Sequence, residues 1–345
     1  MAENNDSLKR LKAAISSASP GNLYVFHGEE GFLLHHYLQR LHNVVVDDLT
    51  ESFNFHRFTN ETFDMQAFLD AVENLPMMAQ RTMVQVEDVD LFKLTEDARS
   101  KMAEILSDIP DYCTVVFVFE TVAFKPDKRQ KKLWEALSGG EIVEFAKQNQ
   151  RDLVVWITRH FAAKKKSISP ELCNYLIEIT DGTMTMLSGE IAKIAAFSGS
   201  DTICKADIDA VTEPVLDAQV FRMTDQIASG DYGKALLTLQ KLMKMQQEPI
   251  AILGAIGTHL RRLSTAKTLQ SRGGNAAQLQ KLYAPLADYP ARKAMEAARR
   301  FDNRFFAKAS ELVLETDYQM KTSFDDPQRL LEMLILQLAQ EAGNG

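Results

Sequence analysis

The sequence predicts a parallel α/β sheet domain in the first part of the chain and only helices after it. Two observations carry this. Between residue 1 and about residue 145, five short apolar runs alternate with stretches of helical spacing, the pattern of a parallel sheet covered by helices on both faces. After Phe145 the strand-like runs stop, and apolar residues recur only at helical intervals. The boundaries that follow are 1–145 for the sheet domain, 146–212 for a small helical domain and 213–345 for a larger helical one.

The elements justify this in order. Leu23 to Gly28 reads as a buried strand ending in a glycine turn, and Phe32 to Val46 as a helix with Leu34, Leu38 and Leu41 on one stripe. Asn54 to Phe58 is a second short strand, and Thr62 to Glu73 a helix carrying Phe63, Phe68, Leu69 and Val72. Thr82 to Val86 is a third strand, Thr95 to Leu106 a helix, and Thr114 to Phe119 a fourth strand that is apolar on both faces. Lys128 to Leu137 is helical and Ile142 to Phe145 is the fifth strand. Beyond it, helices are expected over Asp152–Lys164, from Ser169-Pro170-Glu171 to about Thr180-Asp181-Gly182, over Thr183–Ala196, and from Lys205. Ser169 suits an N-cap and Pro170 the first helical position. Thr212-Glu213-Pro214 breaks the pattern, because a residue before proline is pushed out of helical geometry. From Asp217 to about Ala342 the chain is helical, interrupted at Ser229-Gly230-Asp231, Gly273-Gly274-Asn275 and Asp326-Pro327.

Bulk properties bound the function. A chain of 345 residues with 46% hydrophobic and 25% charged side chains has enough apolar material for two or three soluble cores. No apolar run reaches the ~18 residues of a membrane span, and the first residues lack the basic start and apolar core of a signal peptide. A cytoplasmic protein without membrane contact is the expectation. Cys113, Cys173 and Cys204 are far apart, with no Cys-x-x-Cys pair, and no His-Glu-x-x-His pattern occurs, so neither a metal nor a redox site is indicated. The net charge of −8 argues against indiscriminate coating of nucleic acid. Locally the balance reverses: Arg261 to Lys308 holds eleven Lys/Arg against three acids, and Lys125 to Lys132 holds five basic residues in eight.

The strand–glycine–helix unit at 23–46 stands where a nucleotide-binding P-loop would. Such a loop needs Gly-x-x-x-x-Gly-Lys-[Ser/Thr], whose amides and lysine hold phosphates while the hydroxyl binds magnesium. Counted from Gly28, the last three positions are Leu33, Leu34 and His35, and the loop carries Glu29 and Glu30, which repel a triphosphate. No bound nucleotide, and no other cofactor, is expected. Glu87-Asp88, at the end of the third strand, occupies the place of a magnesium-binding acid pair but has no nucleotide to serve, and reads better as surface acids. No Gly-x-Ser-x-Gly elbow or nucleophile–base pair appears, so catalysis has no positive support.

The stretch Asn74-Leu75-Pro76-Met77-Met78-Ala79-Gln80-Arg81 places two flexible apolar side chains beside a proline, directly before the third strand. Adjacent residues point in different directions, so one packing face cannot easily bury both methionines. They are either core fillers at a helix–strand junction or a plug presented to a pocket on another protein, a role that unbranched, polarizable methionine suits.

In order and spacing, these pieces resemble the delta subunit family of bacterial DNA polymerase III clamp loaders. The resemblance runs from about Leu23 to Leu338. It rests on Leu23–Leu33, on Leu75–Arg81, on the basic stretch Phe124–Leu133, on Asp217–Asp225 followed by Gly230-Asp231 and Ala235-Leu236, and on Glu248-Pro249-Ile250 with His259–Leu263. It implies a AAA+-type sheet domain, a small helical lid and a helical collar that oligomerises. It implies no ATPase activity in this subunit, which grips the sliding clamp (the beta subunit) and favours its opening. The implied partners are that clamp, the loader ATPase subunits tau/gamma, delta-prime, and primed DNA within the assembled loader. By position, Met77 and Met78 carry the plug role. Leu75 is expected to anchor the turn against the sheet domain and Pro76 to fix its backbone. Many relatives carry an aromatic or leucine–phenylalanine pair there, so the methionines depart from the pattern in losing ring stacking. Tyr318 and Lys321 on a late helix, with Lys128 and Arg129, are candidate DNA contacts, the tyrosine either stacking on a strand end or buried with a bonded hydroxyl. Other readings are a delta-prime-like subunit, which needs a Ser-Arg-Cys motif and four zinc-binding cysteines absent here; an active AAA+ ATPase such as a helicase loader, which needs the missing P-loop; and a standalone AAA+-like adaptor with no ring partner.

Overall fold

The computed structural model describes residues 2–180, 182–283, 286 and 288–343. The chain forms two compact units, Met1–Gln148 and Asn149–Gly345.

The first unit runs α1 (Ala2–Ser16), β1 (Leu23–His27), α2 (Gly31–Val45), α3 (Glu51–Asn54), β2 (Phe55–Thr59), α4 (Met65–Glu73), β3 (Thr82–Glu87), α5 (Glu96–Ser107), β4 (Cys113–Phe119), α6 (Lys131–Ser138) and β5 (Glu141–Glu144). All five strands are parallel, in the order β2-β3-β4-β1-β5. Alternation along each strand sorts side chains to two cores. Leu23 and Val25 of β1, Val84 and Val86 of β3, and Val115 and Phe117 of β4 meet Phe68 of α4, Met102 of α5 and Leu137 of α6. Tyr24 and Phe26, Met83, Val116 and Val118 face the other way, onto Leu11 of α1 and Leu34, Leu38 and Leu41 of α2. Burial on both faces is why these strands read as continuous apolar runs.

Sequence and structure part company mainly at helix starts. Asp64, Thr95 and Thr183 are N-caps whose side chains accept an amide of the first turn, so those helices begin later than the apolar pattern suggests. Asn149 caps its helix in the same way but earlier than expected, ahead of Gln150. The helix expected from Lys128 begins only at Lys131, because Asp127 first turns the chain. Its carboxylate accepts the Arg129 amide, and its carbonyl accepts that of Gln130. The sequence pattern does not announce α1; its apolar residues Leu8, Leu11 and Ile15 are few and set among polar ones.

The second unit is helical: α7 (Gln150–Ala163), α8 (Pro170–Ile179), α9 (Met184–Phe197), α10 (Lys205–Val211), α11 (Leu216–Ala228), α12 (Tyr232–Lys244), α13 (Pro249–Ser271), α14 (Ala276–Leu282), α15 (Asp288–Ala297), α16 (Asn303–Thr322) and α17 (Pro327–Gly343). Ser169 caps α8 with Pro170 at its first position, as the sequence indicates; Asp181, in the expected end of that helix, lies outside the described residues. A single apolar core joins α11 to α17, with α13 against α11, α15 and α16. Gly230 and Gly273 take positive φ of 77° and 71° where the helices break, a conformation only glycine adopts freely. Among the described residues, no helix is long and apolar enough to cross a membrane, and no cluster of His, Cys, Asp and Glu could hold a metal ion.

Candidate functional site

The turn between β1 and α2 shows what has replaced the phosphate cradle. Gly28 has φ +134°, and a Cβ there would lie 2.3 Å from the Phe145 carbonyl oxygen. The segment after β5 crosses this turn: the Phe145 amide donates to the His27 carbonyl at 2.7 Å, and the Glu30 amide donates to the Phe145 carbonyl at 2.9 Å. An amide that would face phosphate in a working loop is therefore already used. Leu34, at the position of the catalytic lysine, is fully buried in the core under α2. Leu33 packs against the same core, and His35 pairs with Glu120 at 2.9 Å. Of the two loop acids, Glu29 is half-buried but Glu30 is buried, and burial pushes its carboxyl above the ordinary range. The Phe145 segment occupies both the space and the amide that a phosphate would need.

Glu87 and Asp88 are committed to structure. Arg57 on β2 grips Glu87 in a two-point pair, Nε to Oε1 at 2.7 Å and Nη2 to Oε2 at 2.8 Å. Asp88 has φ +54° and accepts from the amides of Glu120, Thr121 and Val122 and from the Thr121 hydroxyl at 2.6 Å. Burial alone would raise the Asp88 carboxyl; the Thr121 hydroxyl and the three amides hold it below its ordinary value. The acid pair closes the ends of β2, β3 and β4 instead of presenting free oxygens to a metal.

The loop from Asn74 to Arg81, between α4 and β3, has a different character. Met77 is 54% exposed and Met78 93% exposed, so neither is a core filler. Met78 has φ +55°, the left-handed region that costs a non-glycine residue roughly 1–2 kcal/mol. The loop holds that conformation because Asn54, fully buried at the end of α3, grips the Met77 backbone from both sides: the Met77 amide donates to Oδ1 at 2.7 Å, and Nδ2 donates to the Met77 carbonyl at 2.9 Å. Two such bonds contribute about 1–3 kcal/mol together, enough to offset the strain. The Tyr112 hydroxyl donates to the Glu73 carbonyl at one end of the loop, and Arg81 reaches Thr114 at the other. Leu75 does not anchor the turn as expected from the sequence: it is 70% exposed, and Asn54 does that work. Asn54 could not be singled out in the sequence, where it reads as the first residue of a strand. Pro76 is half-buried between Leu75 and Met77.

The remaining candidates are dispersed. Tyr318 on α16 is 63% exposed, which excludes the buried reading, and Lys321 pairs with Asp317 one turn away. Arg129 is held by Asp127, and the Lys128 ammonium lies 5.5 Å from the Trp134 ring centre. The three cysteines are free; Cys113 is buried, and burial pushes its thiol up to about 11.

The arrangement is a sheet domain with a filled nucleotide site, a braced apolar loop and a long helical extension. Family models agree with it in sequence. One, for the DNA polymerase III delta subunit, matches residues 24–149; a second, for the C-terminal domain of the same subunit, matches residues 217–338. The chain belongs to the DNA polymerase III delta subunit family. It is 27% identical over 325 residues to the DNA polymerase III subunit delta of Bacillus subtilis, covering 92% of each chain. It is 20% identical over 259 residues to a probable DNA polymerase III subunit delta of Aquifex aeolicus, covering 73% of this chain and 72% of that one. The solved structure of the Bacillus subtilis DNA clamp loader delta protein superposes with a TM-score of 0.65 at 24% identity, covering 96% of this chain and 99% of that one. That likeness shows the fold, a parallel α/β domain followed by helices. Members of the delta family are non-catalytic components of the clamp loader, and the filled β1–α2 turn fits that role.

Proposed function

We propose that this delta-family protein grips the sliding clamp through Met77 and Met78 and favours opening of the ring for loading onto primed DNA. The observation that carries the reading is the exposure of both methionines on a loop that Asn54 holds rigid. Burying two such side chains supplies roughly 3–6 kcal/mol before association costs, and a loop already ordered keeps those costs low. Leu75 and Pro76 belong to the same contact, Leu75 as an additional apolar surface. The tau/gamma ATPase subunits and delta-prime would assemble with this chain and control access to the loop. We divide the chain into a sheet domain (1–145), a lid (146–212) and a collar (213–345). Exposed Leu237, Leu314, Met333 and Leu336 on the collar suit packing against neighbouring loader proteins. Primed DNA within the loader would meet exposed Tyr318 and Lys321 on the collar, and Lys128 and Arg129 on the sheet domain, Lys321 and Arg129 after giving up their acid partners. The whole would act in the cytoplasm.

The test is equilibrium binding to the purified clamp of the same host, wild type beside Met77→Ser/Met78→Ser. The reading expects a folded double variant whose affinity falls about a hundredfold or more, the loss of roughly 3 kcal/mol of apolar burial; unchanged affinity overturns it.

A further inference from the structure

Across the described residues of Met1–Gln148, five large apolar side chains are strongly exposed: Leu49, Phe53, Leu75, Met77 and Met78. All five stand on two short segments, the turn leading through α3 and the loop after α4. Elsewhere in this unit large apolar side chains are buried or half-buried, so the exposure is concentrated rather than scattered. Leu49, in the turn before α3, is 90% exposed and Phe53, on α3, is 54% exposed. The next residue is Asn54, whose side chain is bonded to the Met77 backbone at 2.7 and 2.9 Å. The two segments are thus tied to each other through Asn54, which directly follows Phe53.

We propose that Leu49 and Phe53 form a second apolar contact to the sliding clamp, continuous with the methionine contact. This rests on the reading of Met77 and Met78 as the clamp-gripping pair, and the occupant is the same clamp because Asn54, next to Phe53, ties the α3 segment directly to the methionine loop. The surroundings define the chemistry of the facing surface. Asp47, Asp48 and Glu51 are exposed around Leu49 and Phe53. Asp47 holds the Leu49 amide at 2.8 Å and Glu51 stands 3.5 Å from His42. An apolar patch ringed by carboxylates fits an apolar depression with a cationic rim, the apolar centre giving affinity and the charges the register.

The experiment measures clamp affinity for wild type, Leu49→Ser/Phe53→Ser, Met77→Ser/Met78→Ser and Phe53→Leu, with thermal unfolding of each. The first variant is expected to bind about tenfold more weakly, or worse, at unchanged Tm, since both side chains are exposed, and Phe53→Leu to keep most of the affinity. Wild-type affinity in Leu49→Ser/Phe53→Ser, with loss in the methionine variant, overturns the second contact and leaves the first standing. Loss only in Leu49→Ser/Phe53→Ser overturns the methionine reading and, with it, the proposal of a second contact beside it. Unchanged clamp affinity with failure to assemble with the loader ATPase assigns the surface to that partner and overturns the proposal.

Discussion

Met78 is a side chain at the tip of a strained backbone. Its φ of +55° is a conformation in which glycine sits without cost, yet the residue present is long, apolar and almost wholly in solvent. Strain kept at an exposed apolar residue points to use of the side chain, since stability alone would favour glycine or asparagine there. Met78→Gly separates the two effects. It is expected to leave Tm unchanged or raise it by a few degrees, through up to about 1 kcal/mol of relieved strain, while clamp binding falls. A fall in both would show that the side chain supports the loop itself. Asn54 is the complementary case. Asn54→Ala removes two buried hydrogen bonds and is expected to cost roughly 1–3 kcal/mol, read as a lower urea midpoint, with faster amide exchange across Leu75–Gln80. The sequence marks the methionines through their adjacency and the neighbouring proline, but not Asn54, whose bond partner lies 23 positions away.

Elements of the sheet domain are legible because each central strand is covered on both faces and each covering helix except α1 has a clear stripe. Helix boundaries are less so, because a cap such as Thr95 or Asp64 is polar in sequence and structural in space. The turn between β1 and α2 shows another limit: the sequence reveals a P-loop without its lysine, but only the fold shows Phe145 filling the space. Gly28→Ala tests that turn. Its φ of +134° and the 2.3 Å approach of a Cβ to the Phe145 carbonyl leave no room, so a loss of several kcal/mol is expected, seen as a large drop in the urea midpoint. Leu34→Lys is expected to destabilise the domain by burying an ammonium and to leave labelled ATP unbound.

At the scale of the molecule, pH should act through buried histidine. His259 on α13 stacks edge-on against Phe221, and burial, aided by the charge of Arg262, lowers its pKa from 6.5 to about 3. The folded chain therefore holds fewer protons than the unfolded one below pH 6.5, so the stabilisation is complete above 6.5 and is lost as pH falls towards 3. The slope is up to about 1.4 kcal/mol per pH unit, and urea midpoints of His259→Leu should decline less steeply over that window than those of wild type. The alternation of sheet and helix, and the stop in strand signal near Phe145, make the order of parts readable; the shared core of α11 to α17 depends on contacts that no local pattern displays. Asn54 directly precedes β2, the edge strand of the sheet, so a load applied at Met78 passes through a short hydrogen-bonded link into a five-stranded sheet instead of stretching a slack tether. A ring pulled open at that point would be levered by a stiff hook, and the work of opening would be spent on the ring rather than on straightening the loop.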